Sequence, residues 1–411
     1  MTIKLLTTRQ AAARLGVTPQ TLYAYVSRGV VTRTLAADGR TSRFDPAEID
    51  ALALRSRPRA GARRAGRVQV SMASRITQLT PETLRYRGRD VVGLCDEGGF
   101  ECVAHWLWTG AWEPDRRFEV RPDRARRAAA LARVLPKDAP AIERFGVLCS
   151  GVACLEPARV DLRPEVVSRH MGELVGLLAS SLPAAAPTRG GRSSSRRAEP
   201  DTSIARMLCE RLSPLPPTKA RIAAMDRALV LLADHELATS TLAVRVAAST
   251  RADPYSAVAA GLAAASGRWH GKAASGVHRL LLEAEREGHP EPVAIRAFEE
   301  RDAGILAGLG HPVYTGEDPR GRALWTAFEG LDRGGRLDRA TRLRDVLESH
   351  TGRKANVDFA LAVLAYLADM PVGATDAIFV LARVAGWVAH ALEEYEETPL
   401  RFRARATYEG P

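Results

Sequence analysis

Four short stretches set histidine, arginine and carboxylate side chains beside glycine or at helix ends. In "GLGHPVYTGEDPRG", residues 308–321, His311 stands between glycine and proline, and Arg320 follows a second proline nine residues later. "LLADHELATS" sets Asp234, His235 and Glu236 into an otherwise apolar helical pattern, and "SGRWHGKAASG" puts His270 between Gly267 and Gly271. "ANVDFALAV" puts Asp358 in the first turn of an expected helix, whose partial positive charge favours an ionised carboxylate. Each has a plainer reading alone: His235 as a histidine satisfied by the flanking carboxylates, His270 as a turn residue, Asp358 as a helix cap. Together they suit removal of a proton next to a carbonyl, followed by attack on a second carbonyl carried by an anionic substrate. A carboxylate base near its ordinary pKa can do this only if a neutral histidine donor stabilises the enolate oxygen at the same moment. A second histidine would polarise the acceptor carbonyl, and arginine forks would hold its carboxylates.

The elements that must position these groups are helices. "RIAAMDRALVLLADHELATSTLAVRVAAST", "DPYSAVAAGLAAAS", "VDFALAVLAYLADM" and "TDAIFVLARVAGWVAHALEEYEE" repeat apolar residues every three or four positions. Alternation of the strand kind appears mainly near residues 67–86. The body is therefore expected to be mainly α. Its alanine-rich faces suit close helix packing and a homodimer.

A separate module precedes this body. Residues 1–66 hold 12 Lys and Arg against 4 Asp and Glu, whereas the remaining 345 hold 47 against 44. Thr7 and Gln10 form an expected capping box, Gly16 ends that helix, and Thr18 caps a second with Pro19 at its first position. "VVTRTL" and "RTSRF" then flank Ala-Asp-Gly as a hairpin, and Asp45, Pro46 and Glu48 open a third helix. This order over residues 1–54 resembles the winged helix-turn-helix of the MerR and excisionase type. The resemblance implies DNA contact, with Thr18, Gln20, Thr21, Tyr23 and Arg28 as candidate readers and Arg33, Arg40 and Arg43 for the phosphate backbone. Residues 55–66 read as a basic linker. The Ala-, Pro-, Ser- and Arg-rich stretch 183–200 reads as a mobile loop.

At 411 residues and 46% hydrophobic the chain can bury a large core. The start lacks the layout of a signal peptide, and an uncharged apolar run long enough for a bilayer is missing, so no membrane partner and the cytoplasm are expected. Cys95, Cys102, Cys149, Cys154 and Cys209 show neither CxxC spacing nor a paired framework, so reduced core thiols are expected and no metal is implied.

The motifs "LRYRGRDV", "DHELATST", "DPYSAVAAGLAAASGRWHG", "GLGHPVYTGEDPRGRAL", "NVDFALAVL", "ARVAGWVAHALEEYEE" and "LRFRARATYEGP" resemble the citrate synthase family, in family order, from residue 67 to the C-terminus. That resemblance implies a nearly all-helical dimer of large and small domains, the small one roughly residues 272–355. It implies condensation of acetyl-CoA with oxaloacetate and hydrolysis of citryl-CoA, with the CoA thioester as co-substrate and no permanently bound cofactor. It further implies Asp358 as the base, His270 as the enol stabiliser and His311 as the partner of the oxaloacetate carbonyl. His235, Arg320, Arg383 and Arg403 would bind substrate, Arg403 reaching across the dimer. Four positions depart from the family pattern: Leu232 and Ala238 stand where histidine and asparagine are common, and Lys272 and Ala274 replace a glycine and an asparagine. Two alternatives follow: a 2-methylcitrate synthase using propionyl-CoA, since one methylene is worth only about 1–3 kcal/mol in an apolar pocket, and a DNA-binding regulator whose body senses CoA thioesters or dicarboxylates.

Overall fold

The structure is a computed structural model and describes residues 5–15, 17–27, 29–36, 41–46, 48–49, 70–185, 202–267, 270–299, 306 and 308–404. The chain divides into two compact units, Met1–Met72 and Ala73–Pro411, so the division falls six residues beyond the expected end of the linker.

In the first unit the expected capping box is present. The Gln10 N–H donates to Thr7 Oγ1 and the Thr7 N–H to Gln10 Oε1, opening the helix Thr8–Leu15. Thr18 Oγ1 accepts from the Thr21 N–H at the start of Pro19–Ser27. The hairpin strands Thr34–Leu35 and Ser42–Phe44 pair antiparallel, and Leu6–Thr7 adds a third strand that the sequence pattern had not indicated. Ala11, Ala12, Leu15, Leu22, Val31, Phe44 and Ile49 form a small core of their own. Residues 46, 48 and 49 are helical, as expected. Gly16, Arg28, Arg40, the Ala-Asp-Gly turn and the linker 55–66 lie outside the described residues, as does most of the stretch 183–200.

The second unit opens with Thr77–Leu79, Leu84–Tyr86 and Arg89–Asp90, an antiparallel three-stranded sheet. Arg87 and Gly88 both take positive φ between the last two strands, as a tight hairpin of matching twist requires. The other described elements of this unit are helices, packed around Ala374–Tyr395, in which Trp387 and His390 are fully buried. By length and composition that helix could cross a membrane, but its apolar window is buried inside the protein, which makes it a core helix. Small residues let helices approach closely: a Cβ on Gly261 of Pro254–Ala265 would meet the Trp387 ring and Val244 at 2.8 Å.

Two local expectations change. The continuous helical pattern through residues 221–250 breaks into Lys219–Leu232 and Thr239–Ser249. Between them Glu236 takes φ 54°, the Gly386 N–H bonds the Ala233 carbonyl and the Tyr86 hydroxyl bonds the Asp234 carbonyl. Tertiary bonds thus replace the helical ones that the apolar pattern alone would extend. Among the cysteines, Cys102, Cys149 and Cys209 are buried and all five are free, but Cys154 is exposed rather than a core thiol.

Candidate active site

The segment carrying His311 is pinned from outside by backbone and side-chain bonds. Gly308 and Gly310 both have positive φ, and a Cβ on Gly308 would lie 2.4 Å from Val277, so only glycine fits there. The Gly310 N–H donates to the Lys354 carbonyl (2.7 Å) and the Asn356 N–H to the Gly308 carbonyl (2.9 Å). His311 Nδ1 accepts from the N–H groups of Val313 (3.1 Å) and Tyr314 (3.2 Å). Burial, reinforced by the Arg320 charge, pushes the ring pKa down to about 4. A neutral ring with Nδ1 committed as acceptor carries its proton on Nε2, which leaves an N–H donor for a ligand. The ring packs at 4.5 Å from Tyr314 and edge-on at 4.9 Å from His235.

Arg320 and Asp358 are joined through Asp318. Its carboxylate caps Pro319–Trp325 at the Arg320 N–H, takes both arms of the Arg320 guanidinium (3.0 and 2.8 Å) and accepts from the Val357 N–H (3.0 Å). Burial alone would raise the Asp318 carboxyl, but the Arg320 guanidinium holds it below the ordinary value. Asp358 sits in the first turn of Val357–Leu367, where its own N–H goes to Asn356 Oδ1 (2.9 Å). The cap is therefore Asn356, and the Asp358 carboxyl is left for other work. Burial pushes that carboxyl up to about 6, with Arg320 opposing. This corrects the expectation that the helix end would keep it at its ordinary pKa: desolvation outweighs the dipole.

His270 follows Pro254–Ala265 in a tight turn, with its N–H on the Gly267 carbonyl and that of Gly271 on the Ala265 carbonyl (both 3.1 Å). A Cβ on Gly271 would stand 2.4 Å from that last oxygen. The ring Nε2 lies 2.8 Å from Ser240 Oγ, which also accepts from Trp387 Nε1 (3.2 Å). Indole only donates, so the serine hydrogen is free to point at Nε2, and the neutral imidazole then carries its proton on Nδ1. Burial, with the Arg383 charge, lowers this ring to about 4 as well. Arg383 is itself buried, with Nε on the Leu232 carbonyl (2.9 Å) and its guanidinium 4.9 Å from the Phe379 ring.

His235 Nε2 bonds the Tyr314 hydroxyl (3.1 Å), not a neighbouring carboxylate. Asp234 instead turns to His390 (3.2 Å) and Thr77 inside the core. Burial first, then Arg320, Arg383 and His311, keep His235 neutral. The structure thus brings His235, His311, Arg320, Arg383 and Asp358 into one electrostatic neighbourhood that also reaches His270 through Arg383. Arg403 is not among them: it is exposed in the tail after the last helix, while nearby Arg401 pairs with Glu394.

Sequence reading missed Ser240, Tyr314, Asp318 and Asn356 as partners of these groups. Asp318 and Asn356 carried a signal, each a capping residue type directly before a helix start, whereas Ser240 and Tyr314 carried none. Of the four departures, Leu232 is buried and offers its carbonyl to Arg383, Ala238 leaves Thr239–Ser249 without a side-chain cap, Ala274 is buried, and Lys272 pairs with Glu143 at 3.5 Å. Among the described residues a cavity of about 480 Å³ backs onto Asp318 and Asn356. A larger one of about 1070 Å³, lined by His105, Ser168 and Arg117 among others, contains none of the candidates.

In the first unit, Thr18 and Thr21 bond each other (2.9 Å) as part of the cap, and the Tyr23 hydroxyl bonds Thr8 (3.3 Å) and Ser42 (3.4 Å). These three hydroxyls are committed within the unit. Gln20 and Arg33 are exposed and Arg43 is half-buried.

The family model described as "Citrate synthase, C-terminal domain" matches residues 67–405. Citrate synthase 2 of Bacillus subtilis is 30% identical over 363 residues, covering 83% of this chain and 94% of its own. 2-Methylcitrate synthase 2 of Corynebacterium glutamicum is 28% identical over 358 residues, 82% of this chain and 91% of its own. Among solved structures, citrate synthase from Thermoplasma acidophilum in ternary complex with carboxymethyl coenzyme A and oxaloacetate superposes with a TM-score of 0.66 at 24% identity, over 83% of this chain and 94% of that one. The enzyme from Thermotoga maritima gives 0.65 at 26% identity, over 83% and 93%.

Proposed function

We propose, because the chain belongs to the citrate synthase family, that it condenses acetyl-CoA with oxaloacetate and hydrolyses the citryl-CoA formed, releasing citrate and CoA. The observation that carries this reading is two histidines held neutral, one with Nδ1 on backbone N–H groups and the other with Nε2 on Ser240, sharing the charges of Arg320 and Arg383 with a half-buried carboxylate. Asp358 takes a methyl proton from the thioester. His270 Nδ1–H donates to the thioester oxygen as the enol forms, so charge never builds up unassisted. His311 Nε2–H polarises the oxaloacetate carbonyl and donates a hydrogen bond to the alkoxide oxygen that forms as the new carbon–carbon bond closes, while the proton now held on Asp358 balances that charge. Arg320 and Arg383, with His235, hold the dicarboxylate; Arg403 completes the site of a second copy in a homodimer. In this reading residues 272–355 form the small domain that closes on the substrates. A raised carboxyl is a stronger base than an ordinary one, and at about 6 it is still ionised at neutral pH, which suits Asp358 to its task.

The test is release of CoA thiol with oxaloacetate and either acetyl-CoA or propionyl-CoA. Oxaloacetate-dependent release with acetyl-CoA preferred supports the reading. Preference for propionyl-CoA would make the chain a 2-methylcitrate synthase, and no release from folded protein with either donor would refute both.

A second reading is favoured by the first unit, whose two capped helices and hairpin have the order of a winged helix-turn-helix. We infer that it binds duplex DNA, with Gln20 and Arg28 at the base edges and Arg33, Arg40 and Arg43 on phosphates. Salt-dependent DNA retention lost on deleting residues 1–66 supports this; no retention at low salt refutes it.

A further inference from the structure

His311 and Asp358 come from distant parts of the sequence, yet one side chain touches the backbone of both segments. Asn356 Nδ2 donates to the Gly310 carbonyl (2.8 Å), immediately before His311, while Asn356 Oδ1 accepts from the Asp358 N–H (2.9 Å). Capping Val357–Leu367 needs only the acceptor, which serine or aspartate supplies equally well. The donor end adds nothing to the helix. It adds a side-chain tie to the two backbone bonds, Gly310 N–H to the Lys354 carbonyl and Asn356 N–H to the Gly308 carbonyl, and it is the tie nearest His311. Among the described residues the His311 ring hydrogen-bonds only Val313 and Tyr314 of its own segment, so ring and segment move together.

We propose that Asn356 is a positioning residue for the condensation: its amide sets the place of the His311 donor relative to the Asp358 carboxylate. The inference rests on the function proposed above. The enol made at Asp358 and the carbonyl held by His311 must meet within bonding reach, and a misplacement of about 1 Å costs on the order of 10²-fold.

The test is Asn356→Ser, which keeps a cap acceptor and cannot reach Gly310, beside Asn356→Asp, which keeps the acceptor and loses the donor at pH 7.5. Each should lower kcat about 10²-fold and leave the thioester KM within about twofold. In a His311→Ala background Asn356→Ser should change kcat by less than about twofold, since its effect passes through a side chain already removed. Equal losses in both backgrounds, or no loss in the wild-type background, would overturn the proposal. A wild type that releases no CoA would refute the proposed function instead. Hydrogen exchange then decides about Asn356: peptides covering 308–314 should exchange faster in Asn356→Ser while those from Val357–Leu367 stay protected, and unchanged exchange in 308–314 overturns it.

Discussion

Replacing the proposed base should make the folded protein more stable. The Asp358 carboxyl stands at about 6 against an ordinary 3.8, chiefly through burial. At about 1.36 kcal/mol per unit, the difference amounts to roughly 3 kcal/mol against the folded state once the group is ionised. The sign follows from linkage. Below pH 3.8 both states are protonated and the cost vanishes; between 3.8 and about 6 the unfolded chain ionises first and stability falls; above 6 the full cost is present. Asp358→Asn removes the titration, so it should gain up to about 3 kcal/mol at pH 7.5 and only about 1 kcal/mol at pH 4.5, less whatever the buried amide itself costs. Urea unfolding of both proteins at the two pH values measures this. A variant less stable than wild type at pH 7.5, or a gain of equal size at both pH values, would refute the burial argument and with it the reason for a raised base.

The same carboxyl sets the acid limb of activity: kcat/KM for the thioester should fall tenfold per pH unit below about 6, with no further limb from His270 or His311 above pH 5, because both stand near 4. A pH–rate profile flat from 5 to 7 would contradict it. Ser240→Ala removes the group that fixes the His270 tautomer and leaves Trp387 Nε1 without its acceptor. It should lower kcat about 10- to 100-fold while the oxaloacetate KM holds, and destabilise by about 1–3 kcal/mol; steady-state kinetics and urea melts read both. Gly386→Ala would place a Cβ 2.2 Å from Asp234 Oδ1 and 2.6 Å from the Ala233 carbonyl. Backbone must move, so a loss of about 1–3 kcal/mol or more in urea unfolding is expected, together with a higher oxaloacetate KM through the displaced His235.

The helices that carry the site were legible because their apolar period is strong: Pro254–Ala265, Val357–Leu367 and Ala374–Tyr395 begin and end near where the pattern does. The break at residues 233–238 was not, because it is made by Gly386 and Tyr86, far away in sequence. His270, His311 and Asp358 stood out through their glycine and helix-end settings. Their tautomers and the raised Asp358 did not, since these depend on which atom faces which: Ser240 on His270 Nε2, two backbone N–H groups on His311 Nδ1, and burial around Asp358. The partner of His235 was hidden for the same reason. The adjacent Asp234 turns to His390, and the bond to His235 comes from Tyr314 of the His311 segment.

In the proposed reaction His270, His311 and Asp358 act on one pair of substrates. Oxaloacetate-dependent CoA release by the wild type, measured beside His270→Ala, His311→Ala and Asp358→Ala, tests it most directly. Each substitution should lower kcat by about 10²- to 10⁴-fold in a protein that remains folded. Any one of the three retaining more than a tenth of wild-type kcat would contradict it.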